Sequence, residues 1–467
     1  MLENGPHRIA PRSRRDRAVL RCARATLILA LVLARAAWAQ IGPVQLPSLP
    51  RLGIPAGVTG AVSDLTNDLG GSSISAARRL RVRELLRTQP ALIERDPNGD
   101  PILRAQVVAL SPSSEALDEA RELGFAVVRE QTLEGLDTHI VVLQAPEGWA
   151  TRRALNRMRA LDSAGRYDFN HIYFDSGADA AAQATGPPPR QAQEQEPSST
   201  SVPRAPSDIR IGLVDGGIDV SHAVFRDALI HQHGCGDKPI VSTHGTAVAS
   251  LLIGKSTVFS GAAPNAQLFA ADVYCGLPTG GAVDAVIEAI AWITHEHVPV
   301  INVSLVGPTN VTLEGMVKTV LARGYIIVAA VGNDGPAAPA LYPASYPGVV
   351  GVTAVDAHRR VLLEACRGSQ VRFAAPGADM AAATLSDSYA AVRGTSFAAP
   401  IVAGLLAKTM RAPDAQMASE AIESLARHAL DLGARGFDPV YGYGLVGEEV
   451  RTNPTPALLA KPVVTTH

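Results

Sequence analysis

Four short segments carry side chains that could act together on an acyl group. Asp215 ends one apolar run, Asn333 follows another, and His244 and Ser396 each stand just before a helical stretch. A serine hydroxyl becomes a nucleophile when an imidazole takes its proton, and a carboxylate fixes the tautomer of that imidazole. Fixed N–H donors stabilise the resulting oxyanion. The four segments therefore predict acyl transfer by a nucleophilic serine, with Asn333 and the Ser396 backbone N–H as oxyanion donors.

The apolar pattern of residues 207–450 predicts a fold that would bring these four segments together. Near-continuous apolar runs alternate with helical stretches, which is typical of a parallel sheet covered by helices on both faces. Ligands of such α/β folds gather at the carboxyl ends of the strands, where Asp215 and Asn333 would lie. The expected strands are Ile209–Val214, Leu268–Val273, Val298–Leu305, Tyr325–Val331 and Val349–Val355.

The segment Gly394-Thr395-Ser396-Phe397-Ala398-Ala399-Pro400 is the most specific of the four. Together, in the chain order Asp, His, Ser that subtilisin has, the segments resemble the catalytic domain of the subtilisin-like serine proteases, the subtilases. The resemblance implies a subtilisin-like fold over residues 207–450 and endopeptidase activity. It also implies a catalytic triad and an oxyanion donor, which would be Asp215, His244, Ser396 and Asn333.

Two further segments would bind substrate by the same resemblance. The strand Val298–Leu305 is similar to the one that leads into the primary specificity pocket, and Pro278–Gly281 stands where the family has an edge segment that pairs with peptide. The residues expected to contact substrate are Ser304, Leu305, Val306, Gly307, Thr279 and Gly280. No cofactor or metal is expected, because Gly254–Gly261 is short and lacks the Asn-rich loop that holds the family's tight calcium.

One departure from the family pattern lies beside the expected catalytic acid. Family members usually have Ser or Thr after this Asp, whereas this chain has Gly216. One side-chain hydrogen bond to the carboxylate should therefore be missing.

The part of the chain before residue 207 has a different organisation. Residues 102–175 show the element order βαββαβ, that of a small α+β, ferredoxin-like sandwich, and resemble the inhibitory prodomain of subtilases in position and size. Residues 176–206 are rich in Ala, Gln, Pro and Ser and are expected to form a linker that the enzyme itself cuts, leaving a mature chain that begins near residue 200. Residues 40–101 are expected to be a linker with a basic helix, and 451–467 a tail.

Residues 1–39 have the pattern of a secretory signal peptide. An Arg-rich lead precedes the apolar run Thr26–Ala34, and Ala37-Trp38-Ala39 provides a small-x-small cleavage pattern. The apolar run is shorter than the roughly 20 residues that span a bilayer. We therefore expect a monomeric protein that is exported to the periplasm or the medium without stable membrane insertion.

Composition narrows the class of protein further. The 467 residues are 47% hydrophobic and 18% charged, which is globular composition rather than that of a coiled coil or a disulfide-dense mini-protein. Past residue 39 there are 34 basic and 42 acidic side chains, and this excess of acids gives no reason to expect nucleic-acid binding. Of the cysteines that remain there, Cys235 and Cys275 are the favoured disulfide pair, leaving Cys366 as a free thiol.

Two other functions fit parts of the sequence. A secreted binding or scaffold protein could keep the fold without catalysis, but the complete set of four residues argues against it. An esterase of the α/β-hydrolase type would need Gly-x-Ser-x-Gly, and Ala398 stands where the second glycine should be. The favoured interpretation is an exported endopeptidase that acts on proteins or peptides, with its own prodomain as an intramolecular inhibitor and folding aid.

Overall fold

The computed structural model describes residues 78–176, 207–236, 238–277 and 281–454, all of which belong to one compact unit, Ser63–His467. The expected signal peptide, most of the expected linkers, the tail from residue 455, and Thr279 and Gly280 lie outside the described residues. Among the helices of the described ranges, none is long and apolar enough to cross a membrane.

The N-terminal module, residues 78–176, is an antiparallel sheet with helices. Its central strands run in the order β5-β2-β4-β3, and β1 pairs with β2. Two helices pack on one face around a core that contains Leu117, Leu155 and Met158. The elements are α1 (residues 78–88), β1 (Ile93–Arg95), β2 (Pro101–Leu110), α2 (Ser114–Glu122), β3 (Ala126–Leu133), β4 (Thr138–Gln144), α3 (Thr151–Leu161) and β5 (Arg166–Asp175).

The structure differs from the sequence expectation at the start of this module. Residues 78–100 were expected to be linker apart from the helix, yet β1 pairs with β2 through Ile93, Glu94 and Arg95. The basic helix is also not a wholly solvated element, since Val82 and Leu85 are buried with Ile93 in a small apolar cluster. Three residues of strand carry too little periodicity to be recognised in a sequence, which explains why β1 was missed.

The larger domain, residues 207–454, is built on a seven-stranded parallel sheet in the order β14-β13-β12-β10-β6-β8-β7. The five strands expected from the apolar runs are all present. The two edge strands of the sheet were not expected, because polar residues such as the exposed His231 and the half-buried Arg372 interrupt their apolar runs. The strands are β6 (Arg210–Asp215), β7 (Ile230–His233), β8 (Gln267–Asp272), β10 (Val300–Val303), β12 (Ile326–Ala330), β13 (Val350–Val355) and β14 (Val371–Pro376).

Helices cover both faces of this sheet, as the buried strands require. One apolar cluster includes Val248 of α4 and Phe397 of α7, and a second includes Ile287 of α5 and Leu313 of α6. The remaining α-helices and strands are α4 (Thr243–Ile253), β9 (Gly281–Ala282), α5 (Val283–His295), β11 (Leu305–Val306), α6 (Val311–Ala322), β15 (Met380–Ala383), β16 (Tyr389–Val392), α7 (Thr395–Ala407) and α8 (Ala415–His428).

Strand β5 belongs to both parts of the molecule. Its first half pairs with β2 of the N-terminal module. Its second half runs antiparallel between two short strands of the larger domain, with Tyr173 opposite Gly281 of β9 and Asp175 opposite Leu305 of β11. The end of β5 is therefore held in a cleft of the larger domain.

A disulfide fixes two loops at the same end of the parallel sheet. Cys235, after β7, is bonded to Cys275, after β8, with 5.3 Å between the Cα atoms. Cys366 is a buried free thiol. The favoured disulfide between Cys235 and Cys275, with Cys366 left as a free thiol, is thus confirmed.

Candidate active site

The expected acid and base are in direct contact. Asp215 is the last residue of β6, and His244 lies in the first turn of α4, whose N-terminus is capped by the hydroxyl of Ser242. The Nδ1–H of His244 donates to Asp215 Oδ1 over 2.9 Å, and the backbone N–H of Gly216 donates to the same oxygen over 2.7 Å. This bond directs Nε2 of His244, which is buried and has no hydrogen-bond partner, towards the role of a base.

The environment of His244 favours its charged form. Burial disfavours the imidazolium, but the charge of Asp215 and its hydrogen bond outweigh this effect, and Asp175 adds to them. The pKa of His244 is raised from 6.5 to about 9. The described chain, with the end of β5 in place, therefore holds this imidazole largely protonated at neutral pH.

Gly216 is a steric requirement as well as a departure from the family pattern. A Cβ atom at this position would lie 2.6 Å from Cβ of Ser242, so the helix cap occupies the space of a side chain. Asp215 Oδ2 is buried without a hydrogen-bond partner, which agrees with the hydrogen bond expected to be missing. Among the described residues, hydrogen bonds are therefore made only to Oδ1 of the Asp215 carboxylate.

Ser396 lies at the same edge of the sheet, in the first turn of α7. Its hydroxyl is fully buried, lies 2.5 Å from the hydroxyl of Ser176, and donates to the backbone carbonyl of Ser304 over 3.4 Å. The first N–H groups of a helix have no acceptor within the helix, so the Ser396 backbone N–H has the position of an oxyanion donor. The Ser396 hydroxyl therefore contacts Ser176, at the end of β5, and makes no hydrogen bond to His244.

Asn333 has the orientation that an oxyanion donor needs. Its Oδ1 accepts a hydrogen bond from the backbone N–H of Thr395 over 3.1 Å, which turns Nδ2 the other way. Nδ2 is buried and has no hydrogen-bond partner. Buried amide groups are usually paired, so this unpaired donor marks a place for an oxygen atom that the described residues do not provide.

The expected substrate-binding residues that the structure describes all contact the end of β5. The backbone carbonyl of Ser304 accepts from the Ser176 N–H over 3.4 Å, and Leu305 and Val306 pair with β5 as strand β11. At Gly307, an added Cβ would lie 2.5 Å from the ring of Tyr173, so only glycine leaves room for that ring. Gly281, which follows the undescribed Thr279 and Gly280, pairs with Tyr173 from the other side.

Three supporting residues were not singled out from the sequence. Ser242 caps α4, and Thr395 accepts the Gly332 N–H through Oγ1 over 3.2 Å. Asn302 donates to Ser304 Oγ over 2.8 Å, and that hydroxyl donates to the Ser396 carbonyl over 3.1 Å. A signal for Asn302 was available, because a polar residue inside the apolar run Val298–Leu305 must find a buried partner.

One group of possible metal ligands was found in the described ranges. Cys235, Asp272 and Cys275 lie close enough together to hold an ion, but both sulfur atoms are used by the disulfide. The Asp272 carboxylate accepts from the backbone N–H groups of Ile240, Tyr274 and Cys275 at 2.8–3.0 Å. This group therefore organises two loops and does not fit a metal.

Comparison with known proteins identifies the family of the larger domain. Residues 207–444 match the family model described as the subtilase family. The chain is 31% identical over 251 residues to subtilisin DY of Bacillus licheniformis, covering 52% of this chain and 90% of that protein. It is also 31% identical over 249 residues to the minor extracellular protease Epr of Bacillus subtilis (strain 168), covering 51% of this chain but only 38% of that protein.

The crystal structure of fervidolysin from Fervidobacterium pennivorans, a keratinolytic enzyme related to subtilisin, has a similar fold. It aligns with a TM-score of 0.59 at 20% identity, over 80% of this chain and 63% of that one. The sequence matches, the fold and the arrangement of Asp215, His244 and Ser396 lead to one conclusion. The chain belongs to the subtilase family of serine proteases.

Proposed function

We propose that the protein is an exported serine endopeptidase whose first substrate is its own N-terminal region. The observation that carries this proposal is the position of Ser176. Its backbone N–H is bonded to Ser304 and its hydroxyl touches Ser396, so the end of β5 lies along the cleft as a peptide substrate would.

The unpaired groups of the site define the chemistry. Nε2 of His244 takes the proton of the Ser396 hydroxyl as its oxygen attacks a peptide carbonyl, while Asp215 stabilises the imidazolium. The carbonyl oxygen becomes an oxyanion that accepts from Asn333 Nδ2 and the Ser396 N–H. The imidazolium then gives its proton to the leaving amine. Water, activated by the same imidazole, releases the acyl group and regenerates the serine.

Ser176 also indicates which bond is cut first. The Ser176 hydroxyl contacts the Ser396 hydroxyl, and Ser176 is the last described residue of the N-terminal module. The favoured first cut is therefore on the carboxyl side of Ser176, giving an amino terminus at Gly177. This lies upstream of the start near residue 200 expected from linker composition. The polar, Pro-rich linker would then be open to further trimming towards that position.

Export is the cellular setting that this chemistry needs. The signal-like residues 1–39 and the Cys235–Cys275 disulfide both fit an oxidising compartment outside the cytosol. Once folded there, a precursor whose cleft is filled by β5 would not degrade other proteins before it is cut. These features support a zymogen whose residues 78–176 act as its prodomain.

The test compares the wild-type full chain with Ser396→Ala and, as a matched control, Ser419→Ala on the exposed face of α8. Wild type and Ser419→Ala are expected to yield a chain that begins at Gly177 and to hydrolyse casein. Ser396→Ala should accumulate as the precursor that lacks only residues 1–39 and lose nearly all activity. Intact-mass measurement and amino-terminal sequencing identify the products.

The possible failures are distinct. Unchanged casein hydrolysis by Ser396→Ala would overturn the protease assignment. If Ser396→Ala and wild type shared one amino terminus while only wild type cut casein, self-processing would be wrong and the endopeptidase would stand.

A further inference from the structure

We propose that α1 is a clasp that holds the end of β5 in the active site by docking on an acidic residue beside the oxyanion donor. The clasp rests on the proposed self-processing and adds its regulation. It lies outside the βαββαβ elements, and its contacts would keep the cut N-terminal fragment bound as an inhibitor.

The first contact is apolar and covers the side of β5 that the cleft leaves open. Successive side chains of a strand point to opposite faces. Tyr173 points to Gly307 in the cleft, whereas Ile172 and Phe174 point the other way and form a buried cluster with Val82 and Leu85 of α1. Helix α1 thus packs on one face of β5, while the larger domain contacts the opposite face and both edges of the strand.

The second contact is ionic and involves the residue before Ser176. The guanidinium of Arg81 forms an ion pair with Asp175 and lies over the ring of Phe174, 4.8 Å from its centroid. A guanidinium both pairs with carboxylates and stacks on aromatic rings. Arg81 therefore fixes the last two side chains of β5 at once.

The third contact links α1 directly to the larger domain. Arg78 Nη1 lies 3.2 Å from Asp334 Oδ2, and the two side chains are only 15% and 22% exposed. Asp334 follows Asn333, so this ion pair connects α1 to the loop that carries the proposed oxyanion donor. Residues three apart on a helix share one face, which is why Arg78 and Arg81 can engage Asp334 and Asp175 together.

Two other arginines of the helix offer matched controls. Arg83 and Arg87 are exposed, and Arg87 pairs with Glu84 on α1 itself. If the helix acted through its overall positive charge, all of its arginines would matter. If it acts as a clasp, removing Arg78 or Arg81 should release β5 and removing Arg83 should not.

The experiment measures how fast a fluorophosphonate probe labels Ser396 in the freshly purified full chain, whether or not it has been cut. The probe enters only when the end of β5 leaves the cleft, so the labelling rate follows the open fraction. Arg78→Ala and Arg81→Ala should each label about tenfold faster than wild type, which corresponds to a change of about 1.4 kcal/mol in the equilibrium that closes the cleft. Arg83→Ala should label at the wild-type rate.

Exchanging the two charges distinguishes loss of the Arg78–Asp334 ion pair from general damage to the fold. Arg78→Asp alone should label faster than wild type, and adding Asp334→Arg should restore slow labelling, which general damage to the helix would not allow. Rates for Arg78→Ala and Arg81→Ala within twofold of Arg83→Ala, or no restoration by the exchange, would overturn the clasp. If Ser396 is labelled in no variant, even after the N-terminal fragment has been removed, the proposed function itself fails.

Discussion

At the scale of single residues, the site is defined by polar atoms that lack partners. His244 Nε2, Asn333 Nδ2 and Asp215 Oδ2 are all buried and unpaired within the described part of the chain. An unsatisfied buried polar group costs stability, and such groups cluster where a protein needs them for chemistry. In the proposed mechanism, His244 Nε2 is the base and Asn333 Nδ2 is an oxyanion donor.

Asn333 gives the first prediction. Asn333→Ala removes the unpaired Nδ2 donor and the acceptor for the Thr395 N–H, so the developing oxyanion should lose one of two hydrogen bonds. We expect kcat on a peptide substrate to fall about 100- to 1000-fold, the loss typical of removing one oxyanion donor, with little change in KM. A change mainly in KM would show that Asn333 positions the substrate instead.

His244 gives the second prediction, on pH. Its pKa in the described precursor is about 9, and only the neutral imidazole can accept the serine proton. Self-processing should therefore accelerate as pH rises towards 9 and level off above it, which the half-time of precursor disappearance measures. A rate independent of pH over this range would contradict the assignment of His244 as base.

The same shift affects stability with the opposite sign. Because the folded pKa is raised above the ordinary value of 6.5, the imidazolium stabilises the fold fully below pH 6.5. That contribution is lost as pH rises through about 9. Thermal unfolding of the uncut Ser396→Ala chain should show this decline, and a His244→Gln version of that chain should lack it.

At the scale of elements, the main feature is that a strand of one module completes the sheet edge of another. Backbone pairing with β9 and β11 holds β5 in the cleft, as in other cases where an extended peptide adds to a strand edge. Side chains then set the position along the strand, because Tyr173 fits over Gly307 and its hydroxyl donates to the Pro308 carbonyl over 2.7 Å.

Gly307 gives the third prediction. Gly307→Ala places a methyl group against the Tyr173 ring, and overpacking costs about 1–3 kcal/mol. Processing of the full chain should slow by at least about fivefold if docking is weakened by that amount. Combining it with Tyr173→Leu, a smaller side chain, should recover part of the rate. Equal processing by wild type and Gly307→Ala would show that the ring does not need this position.

At the scale of the whole molecule, the parallel sheet collects residues from distant parts of the chain. Asp215 and Ser396 are 181 residues apart in the sequence, and His244 and Asn333 lie between them. The four residues meet because parallel strands end at one edge. Sheets with such distant pairings fold slowly, which fits the proposed role of the N-terminal module as a folding aid. The Cys235–Cys275 bond ties two loops at this edge.

The disulfide gives the fourth prediction. Its sequence separation is 40 residues, and closing a loop of that length corresponds to about 4 kcal/mol of chain entropy. Replacing both cysteines by serine should lower the free energy of unfolding by up to that amount, as measured by denaturant titration. Reductant should destabilise wild type and leave the double variant unchanged. Equal stability of the two chains would contradict this.

The sequence by itself determined the family and the larger fold, and it predicted the chemistry. The four segments proposed to be catalytic are short and local, and their residue types and chain order strongly limit the reactions that they could carry out. The five inner strands are continuous apolar runs, because both of their faces are buried. The element order of residues 102–175 was also readable, since helix and strand periods alternate there.

Only the tertiary structure showed which residues from distant parts of the chain are in contact. The unpaired atoms of Asn333 and His244, the fit of Tyr173 over Gly307 and the contact of Ser176 with Ser396 depend on segments far apart in the chain. The role of α1 was hidden for the same reason. An arginine in a helix looks solvated from sequence, and its partners Asp334 and Asp175 become neighbours only after β5 enters the cleft. Local patterns fix elements, whereas long-range packing fixes contacts.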